Sequence, residues 1–402
     1  MYNVRNVTED IVWIGASDRR LEKFENIFPI SRGVSYNSYV LMDEKTVLLD
    51  TVDAAVTAQF FENLEYVLEE RTLDYLVVNH MEPDHCALIG DMLRRYPELK
   101  IVGNTKTFAM IQQFFGKDLS EHALIVKEGD ELVTGKHTLR FFMAPMVHWP
   151  EVMVTYDEMD KVLFSADAFG TFGALNGNIF ADEMDFDREW LGDARRYYAN
   201  IVGKYGASVQ ALLKKAATLE IDVICPLHGP IWRENLGYFI EKYQKWSTYE
   251  PEEQAVVILY ASMYGNTASA ADALAGCLAE KGVKKIAVYD VSKTDMSELI
   301  SEIFRASHLV FATATYNGGI YPLMANLLHD MKALSVQKRT AALIENGTWA
   351  ACTGRLVRAA IEEMKDMVVL EPQISVKSAM HKGQREELET LADAIIESMK
   401  MN

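Results

Sequence analysis

Short apolar runs recur along the chain, and the way they are spaced changes partway. In the first part they lie close together, at Ile11–Gly15, Ser38–Met42, Thr46–Asp50, Leu73–Asn79, Leu139–Ala144 and Lys161–Ser165. These read as strands, while a helical period shows at Cys86–Tyr96 and Thr107–Phe115. The mixture predicts packed sheets flanked by helices and leaves their topology open. In the last part, apolar strands alternate with helical stretches. Val256–Tyr260, Lys285–Val291, His308–Ala314, Thr340–Ile344 and Met367–Leu370 are separated by patterns such as Ser269–Lys281 and Asp295–Ala306. Such alternation predicts a five-stranded parallel sheet, doubly wound with helices on both faces.

The change falls at Trp246-Ser247-Thr248-Tyr249-Glu250-Pro251-Glu252-Glu253, a polar, acidic stretch containing a proline. It suggests one domain over 1–250 and a second over 254–402. A length of 402 residues also favours more than one core.

Hydrophobic residues at 49% and charged residues at 24% describe an ordinary globular chain. A net charge of -18 repels phosphate backbones and argues against nucleic acid as a partner. No apolar stretch approaches the roughly 18 residues needed to span a bilayer, so no membrane role is expected. The first residues lack the apolar core of a signal peptide. Cys86, Cys225, Cys277 and Cys352 are scattered and form no Cys-x-x-Cys pair, which excludes a rubredoxin-type or zinc-ribbon module within these residues. A cytoplasmic location fits that cysteine usage.

The densest chemistry is His80-Met81-Glu82-Pro83-Asp84-His85, directly after the apolar run ending at Asn79. Pro83 breaks regular structure, so neighbouring side chains can converge instead of alternating between faces. A polar loop capping a helix, with Asp84 as N-cap, is the simpler alternative. Three further polar groups end apolar strands in the same way: His148 in Met146-Val147-His148-Trp149-Pro150, Asp167 after Leu163-Phe164-Ser165-Ala166, and His228 in Cys225-Pro226-Leu227-His228. Singly, each reads as structural. Their recurrence at strand ends is what points to a site.

This series resembles the metallo-β-lactamase superfamily, whose pattern is His-x-His-x-Asp-His followed by a His, an Asp and a final His. Glu82 stands where the second His would be. The donors are then four imidazoles and three carboxylates, enough for two metals, and that oxygen-rich set favours iron or manganese over zinc. The variant looks like the flavodiiron protein family. The resemblance implies that His80, Glu82 and His148 hold one iron, that Asp84, His85 and His228 hold the other, and that Asp167 bridges. The histidines at 122, 137, 308, 329 and 381 fall outside the pattern and are read as structural or surface residues.

In the last part, Ser262-Met263-Tyr264-Gly265-Asn266-Thr267 joins a strand to a helix. Its hydroxyls, glycine and helix N-terminus suit a phosphate, and the absence of a P-loop lysine suits a monophosphate. Thr315-Tyr316-Asn317-Gly318-Gly319 and Glu345-Asn346-Gly347-Thr348-Trp349 should emerge at the same sheet end, each with an aromatic able to stack on a flat ring. The three loops resemble the FMN site of a flavodoxin. The third departs from the Ser-Tyr-Gly-Trp pattern of many relatives. It places Glu345 near the ring, where a carboxylate would lower the flavin potential.

Taken together, the resemblance implies an α+β metallo-β-lactamase-like αββα sandwich followed by an α/β flavodoxin-like unit. The implied activity is reduction of dioxygen to water, of nitric oxide to nitrous oxide, or both, at a diiron centre fed by FMN. It also implies a separate electron donor such as rubredoxin, or a reduced deazaflavin, and a head-to-tail homodimer or a dimer of dimers. Phe24, Trp149 and Phe169 are candidates to surround the metals. Two alternatives stand beside this reading: a zinc-dependent hydrolase carrying a flavodoxin module, and an electron carrier on a degenerate scaffold.

Overall fold

The structure, a computed structural model, describes residues 1–401. The chain divides into two compact units. One comprises Met1–Tyr198 and Tyr205–Gln244; the other comprises Ala199–Lys204 and the chain from Lys245 onward. Among the described residues no helix is long and apolar enough to cross a membrane.

The first unit is built on two sheets. One has seven strands in the order Arg5–Asn6, Ile11–Trp13, Tyr39–Met42, Thr46–Leu49, Tyr75–Val77, Lys100–Gly103 and Ala123–Ile125. Its first four strands pair antiparallel, and from Thr46–Leu49 onward the pairing is parallel. The other sheet runs Glu131–Val133, Thr138–Met143, Met153–Asp157, Val162–Phe164, Val223–Cys225, with only the last pair parallel. The sheets face each other: the Tyr39 and Phe164 rings meet at 5.4 Å, and the Thr155 hydroxyl donates to Asn79 Oδ1 at 2.7 Å. Strands such as Thr46–Leu49 and Val162–Phe164 are apolar and buried throughout, because both their faces are covered.

The helix expected over Cys86–Tyr96 is two pieces, Pro83–Cys86 and Ile89–Arg95. Pro83 occupies the first turn of the shorter piece, where a missing N–H leaves no helical bond unmade. The helix therefore starts inside the His80–His85 motif and carries Asp84 and His85 on its first turn.

The second unit is a parallel sheet in the order Ile286–Asp290, Glu253–Ala261, Ala306–Tyr316, Thr340–Asn346, Val368–Val369. Ile374–Val376 also pairs with Thr340–Asn346, so two short segments share the fifth position. Val256, Ile258, Val310, Ala312, Ala342 and Ile344 are buried together with Ala270, Leu274 and Leu391 from the helices Asn266–Glu280 and Arg385–Met401. Val257, Leu259, Leu309, Phe311, Ala341 and Leu343 alternate to the opposite face and are buried there. Each of the buried Val, Leu, Ile and Phe side chains contributes roughly 1.5–3 kcal/mol. The carboxyl ends of these strands carry all three loops singled out from sequence, where ligands collect in open α/β sheets.

Candidate metal centre and flavin cleft

The seven side chains of the lactamase-like motif come together and are buried. They form two groups, His80, Glu82, His148 and Asp167 on one side and Asp84, His85 and His228 on the other. Asp167 faces both. Its Oδ2 lies 3.2 Å from His148 Nε2 and 3.4 Å from His80 Nε2, while its Oδ1 lies 3.2 Å from His85 Nε2 and 3.8 Å from His228 Nε2. Glu82 Oε2 closes the first group at 3.2 Å from His80 Nε2 and 3.1 Å from His148 Nε2. Asp84 Oδ2 lies 3.3 Å from His228 Nε2.

The backbone around these residues is held with care. Asp50 Oδ1 accepts the N–H groups of Asn79 and His80, which fixes the exit from strand Tyr75–Val77. Ala166, immediately before Asp167, has φ +51°, and Met146, two residues before His148, has φ +65°. Left-handed conformations at non-glycine residues are strained and concentrate where a site over-determines them. Gly229 after His228 has φ +78°, and a Cβ there would stand 2.0 Å from Thr171 Cγ2, so only glycine fits.

The donor set fits metal ions. Glu151 Oε1 sits 2.8 Å from His80 Nδ1, and Ser35 O sits 2.8 Å from His228 Nδ1. Each holds the ring's N–H and leaves Nε2 as a lone pair aimed inward. His85 Nε2 and His228 Nε2 face each other at 3.0 Å. Both Asp84 oxygens and Asp167 Oδ1 are buried with no hydrogen-bond partner. Converging lone pairs and unpaired buried carboxylate oxygens are costly unless cations stand between them. The titration behaviour agrees. Burial alone would lower the His80 and His148 pKa values, yet Asp167 and Glu82, joined at His80 by Glu151, raise both, His148 to about 9. Burial would likewise raise Asp167, but His80, His85 and His148 hold it well below the usual carboxylate range. The pocket draws positive charge.

Around the donors, the rings of Phe24, Tyr36 and Tyr197 lie 5.3, 5.8 and 5.6 Å from the His228 ring. Trp149 meets the His80 ring edge-on at 5.4 Å. Phe169 does not join them. It has φ +67°, and its ring packs on Phe239 and Tyr243 in the core, which corrects its expected place beside the metals. The motif alone did not reveal Glu151, Tyr36 or Tyr197; of these, only Glu151 has a local cue, three residues after His148. Glu25, at a hairpin tip with φ +49°, has its carboxyl raised to about 7 by desolvation and the charge of Glu82.

Among the other histidines, His137 bonds Asp157 and Asp10, His308 bonds Ser307 and Ser398, and His122 bonds Leu99 O. None of the three belongs to the seven-donor set.

The second unit has a cleft of about 610 Å³, within the ordinary range for small-molecule sites. It is lined by Ser262, Met263, Tyr264, Asn266, Thr267, Thr315, Tyr316, Asn317, Gly318, Asn346, Gly347, Thr348 and Trp349, together with Ser378. Gly265 is not in the lining. Its φ of +93° starts the helix Asn266–Glu280, and its N–H donates to Ser262 Oγ. Tyr264 and Trp349 are 93% and 92% exposed at the rim. A helix N-terminus with hydroxyls and no lysine, beside flat rings, fits a flavin monophosphate. Glu345 is the misplaced residue. It is buried away from the cleft, and its Oε2 accepts the Gly354 N–H at 2.9 Å in the first turn of helix Thr353–Glu362.

Fold and site define a lactamase-like metalloprotein unit joined to a flavodoxin-like unit. Residues 34–229 match the family described as ODP family beta lactamase, and residues 258–355 match Flavodoxin. Over 351 residues the chain is 33% identical to the anaerobic nitric oxide reductase flavorubredoxin of Vibrio vulnificus strain YJ016, spanning 86% of this chain and 70% of that protein. The structure superposes on the rubredoxin oxygen:oxidoreductase of Desulfovibrio gigas with a TM-score of 0.91 at 28% identity, covering 99% of both chains. It superposes on the flavodiiron protein of Giardia intestinalis with a TM-score of 0.91 at 25% identity, covering 100% of this chain and 98% of that one. The chain belongs to the flavodiiron protein family, and it is an oxidoreductase.

Proposed function

We propose that this oxidoreductase reduces dioxygen to water, nitric oxide to nitrous oxide, or both, with FMN and a diiron centre as its cofactors. His80, Glu82 and His148 would hold one iron and Asp84, His85 and His228 the other, with Asp167 addressing both groups. The observation that carries this reading is the split of Asp167, whose two oxygens address two separate donor groups. When bound, the irons supply open coordination positions and one electron each, and FMN supplies two more. The protein's own part is to hold seven donors without freedom to rearrange, to aim the imidazoles through Glu151 and Ser35 O, and to keep the site buried among Phe24, Tyr36 and Tyr197.

Electrons come from a separate protein of the rubredoxin type. We further propose an assembly of two or more chains. Four unpaired cysteines support a reducing cytoplasm. The three carboxylate donors and the relatives named as reductases give the zinc hydrolase no support, and the complete donor set speaks against an electron carrier on a degenerate scaffold. His85→Asn tests the assignment: gas reduction should be lost while reduction of bound FMN by donor persists. Retained turnover would refute the diiron role.

A further inference from the structure

Asn346 ends the strand Thr340–Asn346 and lines the cleft, and the sequence marks it as a residue that touches cofactor. Its side chain is otherwise engaged. Nδ2 donates to Ser378 O at 3.1 Å and to Thr267 Oγ1 at 3.3 Å, and Oδ1 accepts the Ser378 N–H at 3.1 Å. Both amide hydrogens and one of two oxygen lone pairs are thus taken by the protein. Next to it, the Gly347 N–H donates to Val376 O at 3.1 Å. Asn346 therefore clamps three loops together: the phosphate loop through Thr267, its own loop, and a fourth loop after Ile374–Val376 that carries Ser378.

Ser378 has φ +66°, a left-handed conformation that costs a serine on the order of 1 kcal/mol or more. The two-point grip of Asn346 on its backbone holds it there. The residue lies open to the cleft, and its hydroxyl sits 3.1 Å from Thr348 Oγ1. It also falls outside residues 258–355, the part matched to flavodoxin.

We propose that Ser378 is a further flavin-binding residue whose hydroxyl, positioned by Asn346, donates to the phosphate end of FMN. The phosphate end is indicated because Asn346 ties Ser378 to Thr267, which stands in the first turn of helix Asn266–Glu280, where the helix terminus draws an anion. A hydroxyl rotates freely, so the Ser378 O–H can leave Thr348 for a charged acceptor and gain the stronger bond. Asn346 itself is a positioning residue.

This inference rests on the reading of the cleft as an FMN site. Deflavinated full-length protein titrated with FMN and with riboflavin, followed by flavin fluorescence, tests both. Ser378→Ala should weaken FMN about tenfold, the loss of one bond to a charged group, and leave riboflavin unchanged. Asn346→Asp, which turns a donor into an acceptor facing Ser378 O, should weaken FMN further at an unaltered far-ultraviolet circular dichroism spectrum. Equal losses for FMN and riboflavin in Ser378→Ala, or an unchanged FMN affinity, would overturn the inference alone. A wild-type protein that binds neither flavin would overturn the reading of the cleft with it.

Discussion

Glu151 Oε1 lies 2.8 Å from His80 Nδ1, and both residues are buried. The same oxygen accepts the Met81 N–H at 2.8 Å, so one carboxylate sets both a ring and the backbone beside it. Partners of this kind fix the tautomer of a metal-binding histidine and strengthen it as a ligand. Glu151→Gln should weaken iron retention roughly 10- to 100-fold, measured as loss to a competing chelator. Retention equal to wild type would show that His80 needs no such partner.

Glu345→Gln separates two roles for one residue. A carboxylate beside the flavin ring would depress the midpoint potential, and its removal would raise it. Glu345 instead accepts the Gly354 N–H at the start of helix Thr353–Glu362. Redox titration of Glu345→Gln should give the wild-type midpoint, while unfolding in urea should show a loss of roughly 0.3–1 kcal/mol from the lost charge at a helix N-terminus. A shifted midpoint would place the carboxylate back at the ring.

His308 makes the second unit sensitive to acid. Its ring nitrogens meet Ser307 Oγ at 2.8 Å and Ser398 Oγ at 3.2 Å, and burial lowers its pKa from 6.5 to about 4. The unfolded chain therefore takes up the proton first. The stability held at neutral pH is lost as pH falls from about 6.5 toward 4, by about 2–3 kcal/mol at pH 4.5. Urea unfolding at pH 7 and pH 4.5 should show a smaller pH-dependent loss for His308→Gln than for wild type. Parallel losses would mean that His308 is accessible to protons in the folded state.

Arg339 has no carboxylate partner among the described residues. It donates to Ile303 O, Phe304 O, Tyr249 O, Gln337 O and Lys338 O, two of these at the end of helix Met296–Arg305. Burial lowers its pKa to about 9, which leaves it charged at neutral pH. Lysine cannot reproduce that planar fork. Arg339→Lys should cost about 1–3 kcal/mol in equilibrium unfolding, the range for buried carbonyls left without a partner. A change under about 0.5 kcal/mol would refute the role.

The metal donors were legible in sequence because each lies in the segment that follows an apolar strand, and strand ends are where side chains converge. In the third flavin loop, the placement of Glu345 was not. The sequence predicts a strand ending at Ile344, whereas pairing continues to Asn346. Two more residues of alternation put Asn346 on the face of Ala342 and Ile344 and turn Glu345 to the other. Phe169 failed for a related reason: the left-handed turns at Ala166 and Phe169 redirect the chain on either side of Asp167. Ser378 takes its meaning from a partner 32 residues away, and Glu151, despite its place three residues after His148, from one 71 residues away.

The most direct measurement is iron stoichiometry with Mössbauer spectroscopy on protein loaded with ⁵⁷Fe, for wild type and Asp167→Asn. The wild type should hold about two irons per chain, exchange-coupled when oxidised, and Asp167→Asn should lose the coupling together with gas reduction. One iron per chain, two uncoupled irons, or zinc at both positions without gas consumption would contradict a diiron centre bridged by Asp167.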